Sequence, residues 1–393
     1  MSLPAGPAAT RGTAEVRGYV ATIFRRHGPA YLREHTLTPA QGKVLRAVID
    51  CRTAALGGHL DVCLDCGHEH PFYNSCRDRH CPTCQSAAAR KWLEGRLNRV
   101  LPTYYFHVVF TLPEPLRALA LANPKIVYDL LFEAATDTLR ELAATRMDAQ
   151  LGVTAVLHTW TREMLLHPHL HCVVTGGGLS RDGARWVACR DRFLFPVKVM
   201  GKLFRGKFMD GLVRLYTAGE LHCAGTSAHL ADPAAFAQMR DQLYKTDWVV
   251  YAKRPFGGPQ QVLRYLSRYT HRVAISDARL RAVSDDRVVL STRGGRTASM
   301  RPDEFIRRFL LHVLPSGFRK IRHYGLLAPA NVKTRLRVAC RLLEQARHPY
   351  DTRRFEPGEL LGEPPSKIRC PACGSDRVET RPLPEARGPP EGA

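Results

Sequence analysis

The segment His167-Pro168-His169-Leu170-His171-Cys172-Val173-Val174 places two histidines two residues apart inside an apolar run. In an extended strand, alternate side chains share a face, so His169 and His171 point together while Leu170 and Cys172 pack the other way. Two convergent imidazoles are half of a metal site. His167 has the same parity, but Pro168 makes it a strand-entry residue and a weaker ligand. A second chemical group lies downstream. In Gln261-Val-Leu-Arg264-Tyr265-Leu-Ser-Arg268-Tyr269-Thr-His271-Arg272 the two tyrosines are four apart, which puts both phenols on one face of a helix. Arg264, Arg268 and Arg272 share that spacing and form a cationic stripe suited to phosphate oxygens.

Cysteine supplies a third set. Cys63-x-x-Cys66 and Cys81-x-x-Cys84 are two knuckles with 14 residues between them, close to the spacing of a zinc ribbon. They are expected to share one structural zinc. Cys51, His59, Cys76 and His80 remain in the same window and make a candidate second, Cys2His2 set. Cys370-Pro-Ala-Cys373 has no other pair nearby and reads as an incomplete half-site. Cysteines at ligand spacing among histidines imply a reduced compartment rather than disulfides.

The elements that must position these groups follow from periodicity. Val16, Tyr19, Val20 and Ile23, then Val44, Leu45 and Val48, mark helices within residues 14–50. Tyr104–Leu112, Val153–Trp160, Leu170–Val174 and Trp248–Ala252 read as strands, the third ended by Gly176, Gly177 and Gly178. Helices are expected over Asn123–Ala144, in the later part of Phe193–Tyr216, from Pro259 to about Arg272, and over Pro302–Val313 and Ala330–Arg347. Val273–Thr297 reads as a meander. The chain then divides into a helical and zinc-binding unit over 1–102, a catalytic unit over 103–347, and a Pro/Gly-rich tail over 348–393.

With 58 Lys plus Arg against 36 Asp plus Glu, the 393-residue chain carries +22, a field that draws a polyanion rather than an acidic protein. Residues 251–350 alone hold 21 basic and 6 acidic side chains. No apolar run is long enough to span a bilayer, and no secretory h-region follows Met1. A cytoplasmic, nucleoid-associated protein is expected.

In order, Phe106–Leu112 (FHVVFTL), the His-Leu-His strand and the Tyr265-x-x-x-Tyr269 helix, preceded by the CxxC knuckles, resemble the two-tyrosine HUH transposases of rolling-circle bacterial insertion sequences. The phrases CRTAALGGH, YNSCRDRHCPTCQ, YLSRYTHRVAIS and FIRRFLLHVLP share the likeness, which spans about Val20 to Leu343. The resemblance implies an α+β, HUH endonuclease-type fold. Its antiparallel sheet has packed helices, a central histidine strand and the tyrosine helix beside it, preceded by a small helical zinc-binding domain. It also implies a chemistry. A divalent ion, Mg or Mn, on His169, His171 and a third ligand polarises a scissile phosphate, and Tyr265 or Tyr269 attacks it to give a 5′-phosphotyrosine and a free 3′-hydroxyl. Gln261, His158 and His271 compete for the third position. Gln261 is preferred, one turn before Tyr265. The implied partner is DNA, single-stranded where cut, at transposon ends. A plasmid replication initiator or relaxase of the same chemistry is the nearest rival, and a zinc-dependent DNA-binding regulator without catalysis is the rival from another class.

Overall fold

The computed structural model describes residues 20–97, 99–190, 193–253, 261–262, 273–346 and 369–383. Tyr265, Tyr269, Arg264, Arg268, Arg272 and His271 lie outside the described residues.

Two helices open the described chain, α1 (Val20–Glu34) and α2 (Pro39–Asp50). Thr38 caps α2: its hydroxyl accepts from the Gln41 amide while the Gln41 side chain accepts from the Thr38 amide, satisfying two otherwise orphaned donors. A hairpin, β1 (Gly58–Cys63) and β2 (Glu69–Tyr73), leads through a cysteine-bearing loop to α3 (Pro82–Leu97).

The central sheet is built from β3 (Tyr105–Thr111), β4 (Ala149–Trp160), β5 (Leu166–Ser180), β6 (Trp186–Ala188), β7 (Val250–Lys253) and β11 (Ile321–Gly325). Its order is β11-β4-β5-β3-β7, with β6 on the far end of β5, and every pair is antiparallel. The expected α+β architecture with a central histidine strand is therefore present. Alternation sorts its residues into two faces. Phe106, Val108, Phe110, Val153, Ala155, Leu157, Leu170, Cys172 and Val174 turn to the main core. There they meet α5 (Pro124–Met147), α6 (Val197–Thr217) and α7 (Pro233–Lys245), with the short α4 (Arg117–Ala122) alongside. The opposite face carries His107, His158, His169 and His171, and a smaller apolar group of Tyr105, Val156, Val173 and Val262.

The glycine triplet does not end β5, which runs through it to Ser180. A Cβ at Gly176 would sit 2.4 Å from the Tyr104 ring, and one at Gly177 would sit 2.6 Å from the Val187 carbonyl oxygen. These glycines admit close neighbours inside a sheet rather than a turn.

A meander, β8 (Leu280–Val283), β9 (Val288–Ser291) and β10 (Thr297–Met300), precedes α8 (Pro302–Leu310). These elements share one core with α1 and α2: the Phe24 ring meets Phe309 edge-on at 5.0 Å and Phe305 at 6.5 Å. Packing thus crosses the expected boundary at residue 102, because α1 and α2 are amphipathic and too short to bury an apolar face between themselves. The helix α9 (Arg335–Gln345) closes a third cluster with Leu101, Leu179 and Leu326.

Within the expected tail, β12 (Val378–Pro382) pairs antiparallel with β1, from Cys63↔Val378 to His59↔Pro382. Its middle portion is folded onto the amino-terminal hairpin. Among the described residues, no helix is long and apolar enough to cross a membrane.

Candidate metal centres and active face

Three imidazoles converge on the sheet face opposite the main core. His158 on β4 stands directly across from His169 on β5, and His171 lies two residues further along β5. One ring nitrogen from each lies within 4.8 Å of the other two. The rings of His158 and His171 are 4.4 Å apart, those of His169 and His171 4.8 Å. Cross-strand register thus supplies the third imidazole from β4. Gln261, preferred from the sequence, is described and solvent-exposed. Helical spacing could bring it near a tyrosine, but strand register brings His158 opposite His169.

The surroundings orient the rings. His169 Nδ1 lies 2.6 Å from the His167 carbonyl oxygen, so this nitrogen carries the proton and Nε2 is left to coordinate. His171 Nδ1 is 2.8 Å from Nε2 of His107 on β3, whose ring stacks within 8° of parallel. The Trp160 indole lies over His158 at 4.5 Å. Burial lowers the pKa of His169 to about 4 and that of His171 well below the ordinary histidine value. These imidazoles are neutral at physiological pH, the state a divalent ion requires. Three imidazole donors, two of them oriented by neighbours, fit such an ion.

His107 was not singled out in the sequence. Its signal was available: it stands in a strand of alternating burial, and its parity is that of a polar residue in an otherwise apolar run.

Val262 packs on this face. It is 2% exposed and lies against Tyr105, Val156 and Val173, and Val156 is the cross-strand partner of His171.

The cysteines form two groups, and neither is the one expected. Cys51, Cys76, Cys81 and Cys84 converge in one; Cys63, Cys66, Cys370 and Cys373 converge in the other. The knuckles 63/66 and 81/84 are thus separated, although they neighbour each other in sequence. The hairpin β1–β2 carries the first away, while Cys81 stands immediately before α3 and Cys84 rides its first turn, beside the end of α2 where Cys51 sits. The Cys2His2 set is split: Cys51 and Cys76 meet in the first group, but its two histidines do not join them. His80 is buried elsewhere, its Nδ1 2.9 Å from the Asp78 carboxylate and its Nε2 accepting the Leu314 amide at 3.2 Å. His59 stacks on Phe72. Cys370 and Cys373 are not a lone half-site.

In the first group the Cys51–Cys84 and Cys76–Cys84 sulfur separations are both 3.6 Å. Tetrahedral zinc with bonds of about 2.3 Å spaces its sulfurs by roughly 3.8 Å, so the donors fit. The loop that carries Cys76 and Cys81 is docked by Arg79, whose guanidinium donates to the carbonyls of Leu314, Pro315 and Phe318.

An antiparallel sheet bearing a three-histidine cluster, joined to a cysteine-clustered amino-terminal module, defines an α+β protein with a zinc-binding domain. Comparison with known proteins gives the family. Residues 152–335 match the family described as "Putative transposase", and residues 23–112 match the "Transposase zinc-binding domain". Over 92% of the chain and 94% of the relative, the sequence is 47% identical to the putative transposase y4qJ of Sinorhizobium fredii. It is 27% identical to the transposase for insertion sequence element IS801 of Pseudomonas savastanoi pv. phaseolicola, over 76% of the chain and 72% of that protein. The chain belongs to this insertion-sequence transposase family, with its amino-terminal zinc-binding domain. No solved structure matches it.

Proposed function

We propose that this transposase cuts and rejoins single-stranded DNA through a covalent 5′-phosphotyrosine, with a divalent ion, Mg or Mn, held by His158, His169 and His171. The observation that carries the reading is the convergence of these three imidazoles, one buried and two half-buried, on the sheet face against which Val262 packs. When bound, the ion supplies charge to a non-bridging oxygen of the scissile phosphate and so favours in-line displacement. The protein's own groups do the rest. The tyrosine hydroxyl gives up its proton as its oxygen bonds to phosphorus and the bond to the 3′ oxygen breaks, and the departing 3′ oxygen takes a proton to become a hydroxyl, so that no net proton is gained or lost. Because the phosphotyrosine conserves the phosphodiester energy, attack by a 3′-hydroxyl reverses the step without a nucleotide cofactor.

Two tyrosines suit strand transfer: one can hold the first 5′ end while the other makes a second break. In the sequence the two tyrosines stand four residues apart, the spacing that shares one face of a helix. Arg264, Arg268 and Arg272 are read as backbone contacts to the bound strand, within a chain of net charge +22. The group Cys51, Cys76, Cys81 and Cys84 is read as a structural zinc centre of the amino-terminal domain.

Incubation with single-stranded DNA and Mn²⁺, followed by denaturing electrophoresis and peptide mapping, tests the reading. A covalent adduct is expected on Tyr265 or Tyr269, retained by at least one single Phe variant and lost in the double variant. An adduct at neither position in the wild-type protein, or undiminished adduct in the double variant, overturns it.

A further inference from the structure

The second cysteine group lies outside both family matches at its carboxyl-terminal half, since Cys370 and Cys373 follow residue 335. We propose that Cys63, Cys66, Cys370 and Cys373 bind a second structural zinc, a clasp that fastens the carboxyl-terminal segment onto the amino-terminal hairpin. The inference is independent of the tyrosine chemistry.

Three observations carry it. First, the four sulfurs lie within 4.8 Å of one another, with Cys63–Cys373 and Cys66–Cys370 both at 3.6 Å. That spacing matches the edge of a zinc tetrathiolate and is far from the roughly 2.05 Å of a disulfide. Second, the two knuckles have the same backbone turn. Gly67 follows Cys66 at φ +70° and donates its amide to the Cys63 carbonyl at 3.0 Å; Gly374 follows Cys373 at φ +77° and donates to the Cys370 carbonyl at 2.8 Å. Positive φ is what these glycines supply, because the chain must double back to aim both sulfurs of a CxxC at one point. Two matching turns facing each other are the arrangement of a zinc ribbon whose halves come from opposite ends of the chain.

Third, the strands beside the knuckles are already joined. β12 pairs along the whole of β1 apart from its first residue, Gly58. The Leu64 amide donates to the Arg377 carbonyl at 2.9 Å, and Asp65 accepts from the Arg377 guanidinium at 2.6 Å and from the Ser375 hydroxyl. A five-residue exposed strand with four exposed side chains has little apolar surface to hold it against fraying, so a metal at one end is a sufficient reason for it to stay. Cys66 and Cys370 are 304 residues apart, and the clasp closes that loop around the whole histidine-bearing sheet.

Because Cys66 and Cys373 are solvent-exposed, their reactivity reads the site directly. Full-length protein purified under reducing conditions is to be treated with an alkylating agent and mapped by mass spectrometry, before and after chelation. The clasp predicts that Cys66 and Cys373 resist alkylation until chelator is added, then react together with Cys63 and Cys370. Zinc content is the second measurement: Cys370→Ser/Cys373→Ser should lose one zinc per chain relative to wild type. Cys76→Ser should lose a different one, leaving Cys66 and Cys373 protected. In the Cys370→Ser/Cys373→Ser variant, protease should cut the carboxyl-terminal segment faster while the remainder stays resistant. Immediate alkylation of Cys66 and Cys373 in the untreated protein, recovery of a Cys63–Cys373 disulfide, or unchanged zinc content in the Cys370→Ser/Cys373→Ser variant would each overturn the proposal. The alkylation arm uses wild-type protein, so it decides even if a serine variant fails to fold.

Discussion

Nε2 of His107 lies 2.8 Å from Nδ1 of His171, across the β3–β5 ladder and two residues from direct pairing, on the same face of the sheet. The contact holds Nδ1 of His171 and with it the rotation of a ring in the three-histidine cluster. His107→Ala should weaken Mn²⁺ binding by roughly 10- to 100-fold, the usual consequence of removing such an outer partner. Titration calorimetry of the full-length protein checks this, and an unchanged affinity would show that His171 is held by its packing alone.

His158 and Gln261 make opposite predictions for the third ligand. His158→Ala should remove most Mn²⁺ affinity and the covalent adduct with it, while Gln261→Ala, at an exposed position, should leave metal binding within about twofold. Metal titration of the two variants side by side separates them.

Acid should destabilise the protein before its carboxylates titrate. His107, His169, His312 and His323 are each held near pKa 4, chiefly by burial. His312 is fully enclosed, its ring nitrogens meeting the Thr159 hydroxyl at 3.1 Å and the Met164 carbonyl at 3.0 Å. With folded values below the unfolded 6.5, the unfolded chain binds more protons between pH 4 and 6.5, so stability rises with pH across that window and is lost as pH falls through it. Denaturant melts at pH 4.5, 5.5 and 7 should show a falling midpoint towards acid. A His312→Gln variant should show a shallower fall. Over pH 6 to 8 the same shifts keep His169 and His171 neutral, and Mn²⁺ affinity there should be nearly flat.

Gly176 is a packing requirement. Its added Cβ would meet both the Tyr104 ring at 2.4 Å and the Tyr104 carbonyl at 2.7 Å, and backbone cannot swing away as a side-chain tip can. Gly176→Ala should cost about 1–3 kcal/mol by overpacking. Thermal unfolding against a Gly183→Ala control reports it; Gly183 has no atom near its would-be Cβ but has φ +77°, so its cost should be that of backbone strain alone.

What the sequence determined by itself was everything set by spacing within one element. A two-residue period put His169 and His171 on one face, and the charge balance pointed to a polyanion. The CxxC pairs announced metal chemistry, and the helices over 123–144 and 302–313 and the strands over 104–112 and 153–160 were legible from apolar periodicity. Tertiary structure alone decided who meets whom. His158 reaches His169 through the β4–β5 register, a property of two strands that neither strand's own pattern contains. Nearness in sequence suggested that Cys63 and Cys66 share a site with Cys81 and Cys84, yet a hairpin separates them and a strand some 300 residues away brings Cys370 and Cys373 instead. Periodicity is enforced by local sterics and can be read one window at a time. Ligand partnership is enforced by the packing of distant elements, whose free energy is shared across the whole fold.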